Sequence, residues 1–135
     1  MTFFEKARKI VAEDHFAYTS GVVLIDADQD YAVCSMRLEE RHYNAGGAVQ
    51  GGAIFTLADT AFAVACNSRE NLTVAINNNI SFLKSTRGDT LIATARLVSA
   101  SKRVCTYDIE VKDNLGEPIS RMTGTGFITD RKLFE

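Results

Sequence analysis

The chain has 135 residues, a formal net charge of −2 and 46% apolar residues. That is the balance of a single globular domain over 1–135, large enough to bury a core. The slightly acidic charge argues against nucleic acid as a partner, and no apolar run approaches the ~20 residues that would place the chain across a membrane.

Residues 2–13 read as a short amphipathic helix, with Phe3, Ala7, Ile10 and Val11 on one side and Glu5, Lys6, Arg8 and Lys9 elsewhere. The opening Met1-Thr2-Phe3-Phe4-Glu5-Lys6 lacks the pattern of a signal peptide. Cys34, Cys66 and Cys105 are odd in number and far apart, which suits buried thiols in a reducing compartment and so a cytoplasmic protein. Strands are expected over 18–26 and 30–38, around the turn Asp26-Ala27-Asp28-Gln29-Asp30. A polar, glycine-containing loop over 39–50 leads into a helix from Gly51 to about Asn67.

That helix is the most informative element. Between His42 and Ser68 the only formal charge is Asp59, inside the apolar run Ala53–Cys66. Burying a carboxylate is costly unless it has partners or a task. Gly51 and Gly52 open the helix with bare backbone N–H groups. Each feature also has an ordinary structural reading: an acid that pins a helix by a hydrogen bond, and paired glycines that allow a tight turn. Asp59 lies roughly 12 Å along the axis from Gly51, too far to serve its own helix start. A carbonyl held at those amides would therefore meet an acid from another chain.

After Asn71 the period becomes two. Residues 73–83 place Val74, Ile76, Asn78, Ile80 and Phe82 on one face; 89–100 align Leu91, Ala93, Ala95 and Leu97; 103–113 align Cys105, Tyr107, Ile109 and Val111. Asn114–Glu117 makes a turn, and 118–129 is a last strand. The order α-β-β-α-β-β-β-β gives an α+β fold, an antiparallel sheet wrapped around a long central helix. A second copy would close the far side of that helix, so a twofold homodimer or larger assembly is expected. Asn78, which interrupts its face, is either a satisfied buried amide, the mark of a register shift by one residue, or a hydrogen-bonding partner of substrate or acid. Lys84, Arg87, Lys102 and Arg103, near strand ends and turns, are either solvated charges or phosphate ligands. His15 and His42 have no ligand-spaced partners, so no metal is expected, and no G-x-S-x-G nucleophile motif is present.

The stretch His42-Tyr43-Asn44-Ala45-Gly46-Gly47-Ala48-Val49-Gln50-Gly51-Gly52, continuing to Leu57-Ala58-Asp59, resembles the N-x-x-G-x-x-H-G-G-x-x-x-x-L-x-D pattern of hotdog-fold acyl-CoA thioesterases of the phenylacetic-acid-degradation, PaaI-like, branch. Phe82-Leu83-Lys84, then Gly88-Asp89-Thr90-Leu91, with Gly116, Gly124 and Gly126, extends the likeness over nearly the whole chain beyond the first helix.

The resemblance implies a hotdog fold and hydrolysis of acyl-CoA, with aryl or short to medium acyl groups. It implies no cofactor beyond the coenzyme A of the substrate, and a homodimer paired into a homotetramer. It assigns Asp59 as general base or nucleophile, the amide of Gly51, with Gly52, as oxyanion hole, and Asn44 as an orienting group. The acyl pocket is expected to include Phe55 and Phe62. Gln50 departs from the pattern, standing where the family carries His. Gln donates a hydrogen bond but never holds the charge, so the alternative is a non-catalytic acyl-CoA or acyl-lipid binder. A hotdog dehydratase would want a His on the central helix, and neither His is placed there.

Overall fold

A computed structural model describes residues 1–133. Two helices, α1 (Phe3–Glu13) and α2 (His15–Thr19), precede the hairpin β1 (Val22–Asp28) and β2 (Tyr31–Arg37). A single 3-10 turn, Glu40–His42, leads to α3 (Gly51–Cys66), followed by β3 (Asn71–Phe82), β4 (Thr90–Ala100), β5 (Val104–Asp113) and β6 (Pro118–Lys132). The strands form one antiparallel sheet in the order β1-β2-β4-β5-β6-β3. It curls around α3, which touches every strand, giving the expected hotdog architecture.

Close approach of sheet and helix follows from small residues on both. Ala58, Ala61 and Ala65 of α3 and Ala32, Ala93 and Ala95 of the strands are fully buried. The larger core side chains, among them Leu57, Phe62, Tyr107 and Ile109, are buried between them. Phe62 tilts against Tyr107 with ring centroids 5.9 Å apart. A Cβ on Gly124 would sit 3.0 Å from the Phe62 ring, so only glycine lets β6 pass beneath it.

Two expectations are corrected. Residues 18–26 are not one strand. The Asp14 side chain accepts a hydrogen bond from Ala17 N at 3.1 Å and caps the short helix α2. Gly21, at φ +89°, then turns the chain, so β1 starts only at Val22. On β3 the single apolar face is split by a register shift between Ala75 and Asn77. One extra residue reverses the alternation. Val74 therefore pairs outward with Phe127 and is 44% exposed, Ile76 at the shift is 58% exposed, and Asn78 and Phe82 turn toward α3.

The hairpin is tied to the rest of the fold at Asp30, a left-handed residue (φ 59°) of the β1–β2 turn, a conformation that Asp and Asn tolerate. Its carboxylate accepts two hydrogen bonds from Arg69, at 3.0 and 2.7 Å, and one from the Tyr107 hydroxyl at 2.6 Å; its N–H donates to Ser68 Oγ at 2.6 Å. The Arg69 hydrogen bonds, opposed by burial, hold this carboxyl below the usual aspartate range. A lowered folded pKa means stabilisation that is present above the unfolded value of about 3.9 and lost as pH falls through the folded one. Asp30→Asn keeps the backbone preference and removes the charge. It is expected to cost about 1–2 kcal/mol at pH 7, the lower half being favoured because Arg69 is half exposed. The deficit should shrink toward pH 3, as urea melts at the two pH values would measure.

Candidate active site

The loop before α3 is held by its own polar groups. His42 is 4% exposed; its Nδ1 accepts from Glu39 N at 2.9 Å and its Nε2 donates to Ser20 O at 2.7 Å. Asn44 Oδ1 accepts from Gly46 N at 2.9 Å and Ala48 N at 3.1 Å, and Tyr43 bridges Val49. Gln50 N then donates to His42 O at 2.8 Å, which sets Gln50 at the N-cap of α3. His42 is thus a loop pin, and half of Asn44 is spent folding the loop. Its Nδ2 has no hydrogen-bond partner among the described residues and remains available as a donor.

The first acceptor in α3 is Gln50 O, which takes Ala53 N at 2.9 Å and Ile54 N at 3.3 Å. The Gln50 side chain is exposed and makes no capping bond. The Gly51 and Gly52 amides are therefore left without partners among the described residues, as helix starts leave them. They carry the positive end of the helix dipole. A Cβ on Gly51 would come 3.2 Å from the Phe82 ring. Here the helix start opens on a cavity of about 240 Å³ bounded by Val49, Ile54, Phe82, Lys84 and Ile119.

Asp59 lies two turns further on, half buried. Its Oδ1 accepts a hydrogen bond from Asn78 Nδ2 at 3.1 Å. Burial raises this carboxyl above the usual aspartate range; the Asn78 bond works against that, and the charge of Asp14 adds to it. The other polar side-chain atom of Asn78, Oδ1, is buried without a hydrogen-bond partner among the described residues. Such a group in a native fold asks for an explanation. Asp59 belongs to a stripe of α3 (Gly52, Phe55, Thr56, Asp59, Ala63) that the chain's own sheet leaves partly or wholly open, so the helix is enclosed on fewer sides than its composition suggests. The carboxyl borders a second cavity, of about 150 Å³, between α1 and α3. The two cavities share no residue, so within one chain the acid and the open amides face different spaces.

Of the other residues singled out, Phe55 is half buried on the open stripe, whereas Phe62 is fully buried in the core and borders neither cavity. That corrects its expected place in the pocket wall. Its position opposite Tyr107 and Gly124 follows from sheet curvature. The four cations are not gathered in one chain. Lys84, paired with Glu117 at 2.8 Å, and exposed Arg87 lie at the end of the sheet near Gly51. Exposed Lys102 and half-buried Arg103, the latter paired with Asp130 at 2.7 Å, lie at the β4–β5 turn at the other end. Sequence reasoning missed Asp14 and the part of α1 that borders the Asp59 cavity. The stripe Phe3, Ala7, Ile10, Val11 is readable as apolar, but not what it faces.

Residues 46–118 match the sequence profile described as the thioesterase superfamily. The chain is 34% identical over 122 residues to the acyl-coenzyme A thioesterase PaaI of Escherichia coli K12, covering 90% of this chain and 87% of that one. The solved structure of the E. coli PaaI protein from the phenylacetic acid degradation operon superposes with a TM-score of 0.90 at 30% identity, over 96% of this chain and 95% of that one. A Streptococcus mutans UA159 protein solved bound to acetyl CoA superposes with a TM-score of 0.77 at 25% identity, over 82% and 90% of the two chains.

Proposed function

The chain belongs to the thioesterase superfamily, as a PaaI-like hotdog thioester hydrolase, and on that footing we propose that it hydrolyses acyl-CoA at a site shared by two copies. One observation carries the reading. A half-buried carboxylate held by Asn78 lies on an open helix stripe, while the amides suited to an oxyanion open elsewhere on the same helix.

Two features favour a second copy. β3 is an edge strand of 12 residues with one side unpaired, a surface that invites strand addition. Two α3 helices running antiparallel across a twofold would set the start of one beside the middle of the other. Gly51 of one copy then faces Asp59 of its partner. The same twofold brings the Lys84–Arg87 end of one sheet toward the Lys102–Arg103 end of the other, where the phosphates of coenzyme A would lie.

In this arrangement the thioester oxygen rests on the Gly51 N–H, with Gly52 beside it, and the Asn44 amide and the Gln50 side chain donate from the loop. Asp59 takes a proton from water as the water oxygen bonds to the carbonyl carbon. Negative charge moves onto the oxygen, where the helix N-terminus stabilises it. Collapse breaks the C–S bond, and the thiolate of coenzyme A leaves and is protonated. Direct attack by the Asp59 carboxylate, followed by hydrolysis of the anhydride, uses the same geometry. Gln50 supports one second reading, an acyl-CoA binder without turnover, because an exposed amide replaces a group that could hold charge.

Mixing two inactive variants tests the shared site. Asp59→Asn and Gly51→Pro copies, co-expressed, should recover about a quarter of the wild-type rate, since half the dimers are mixed and each has one intact site. No recovery would place acid and amides in the same chain. Tight acyl-CoA binding by a wild type that releases no free thiol would favour the binder.

A further inference from the structure

The α1–α3 cavity has a feature the hydrolytic reading does not use. It is the only one of the described cavities that touches Asp59, and its far wall is supplied by α1. Phe3, Ala7, Ile10 and Val11 form one stripe of α1, and Ala63 and Val64 of α3 face them across the space. α1 rests on β1 and α2, so it is supported independently of the helix it faces. Two carboxylates border the cavity, Asp59 and, at the α1–α2 junction, Asp14; among the described residues no Lys, Arg or His does.

We propose that this cavity seats the acyl group, that α1 sets the acyl length limit, and that Asp14 makes the enzyme selective for uncharged acyl groups. The inference rests on the reading of Asp59 as the reacting acid. A thioester carbon placed at that carboxylate sends coenzyme A one way and its acyl group the other, and the acyl group needs apolar room adjoining the carboxylate. About 150 Å³ is the size of an engineered apolar cavity that holds benzene, so roughly six non-hydrogen atoms fit. A second carboxylate on the acyl group would be buried beside Asp14 and Asp59 with no cation to offset it.

Hexanoyl-CoA and adipoyl-CoA have the same carbon count and differ by one terminal carboxylate. The wild type should favour hexanoyl-CoA at least tenfold in kcat/KM, and Asp14→Asn should narrow that gap. Ala63→Leu, which fills the cavity from an exposed helix position, should lower the hexanoyl-to-acetyl ratio at least tenfold. Ile10→Ala, at a position 42% exposed, should raise the dodecanoyl-to-hexanoyl ratio. The same ratios read as affinities of the non-hydrolysable thioethers hexyl-CoA and ethyl-CoA separate the two ideas. Weaker hexyl-CoA binding to Ala63→Leu, in a protein without turnover, upholds the seat and removes the catalytic reading of Asp59. Turnover abolished by Asp59→Asn with acyl ratios indifferent to Ala63→Leu and Ile10→Ala overturns the seat and keeps the acid. Equal rates on adipoyl- and hexanoyl-CoA overturn the charge selection.

Discussion

Asp59→Asn is expected to lower kcat for acyl-CoA hydrolysis by about 10²–10⁴-fold, the usual cost of removing a positioned base, while the fold becomes no less stable. The second half follows from the local geometry. The carboxyl is half buried and raised above the usual aspartate range, chiefly by burial, so its ionised form is a burden on the fold at neutral pH. The carboxamide introduced in its place would still accept from Asn78 Nδ2, and its own N–H group could donate to the buried, unpartnered Oδ1 of Asn78. The variant should melt at the wild-type temperature or above it, the pattern of a site that trades stability for activity. An acid whose role was to pin α3 would give the opposite result, a lower melting temperature with little change in turnover.

The raised pKa also predicts the pH dependence. The ionised form is the base, so kcat should fall as pH drops through a value above that of an ordinary aspartate. A raised folded pKa means that folding gains stability as pH falls through it, and Asp59→Asn should lose that gain. Thiol release and thermal melts across pH 4–8 measure both.

Most of the fold is legible in the sequence because the periods are clean. Tyr107, Ile109 and Val111 alternate without interruption and all lie in the core, and the apolar run of α3 starts and stops where Gly51 and Asn67 suggest. Where reading by period fails, a local device overrides it. At Asp14 a side-chain cap forms a helix that alternation cannot reveal. In β3 a shift at Ala75/Asn77 reverses the face, and the sequence marks it only by Asn78, the polar residue that interrupts the apolar alternation. At the site, the isolation of Asp59 and the bareness of the Gly51 amide are visible from spacing alone. Asn78 reads from the sequence as a buried amide or a register shift before it reads as a partner, and only its geometry, 3.1 Å from the acid, joins it to the carboxyl. Phe62, expected at the pocket from the resemblance and not from spacing, lies in the core, because which side of α3 the sheet covers is not written in the periodicity of the helix.

The amide of Gly51 can be tested separately from its lack of a side chain. Gly51 is the first residue of α3, the one helical position where proline is at home, because the N–H it lacks has no helical partner. The residue before a proline must be extended, and Gln50 already is, at φ −59° and ψ 131°. Gly51→Pro therefore removes one N–H and no internal hydrogen bond. It also adds a Cβ about 3.2 Å from the Phe82 ring, a ring exposed enough to give way. Gly51→Ala adds the same Cβ and keeps the N–H, so the ratio of the two variants isolates the donor.

Gly51→Pro is expected to fall a further 10²–10³-fold below Gly51→Ala in kcat, the typical cost of one oxyanion donor, with the two melting temperatures alike. The loss belongs in kcat because the bond strengthens as charge develops on the oxygen, so substrate binding depends on it less than the transition state does. Equal rates for the two variants would show that the carbonyl oxygen never rests on that amide, and the oxyanion would then have to be held by Gly52 or by the side chains of Asn44 and Gln50.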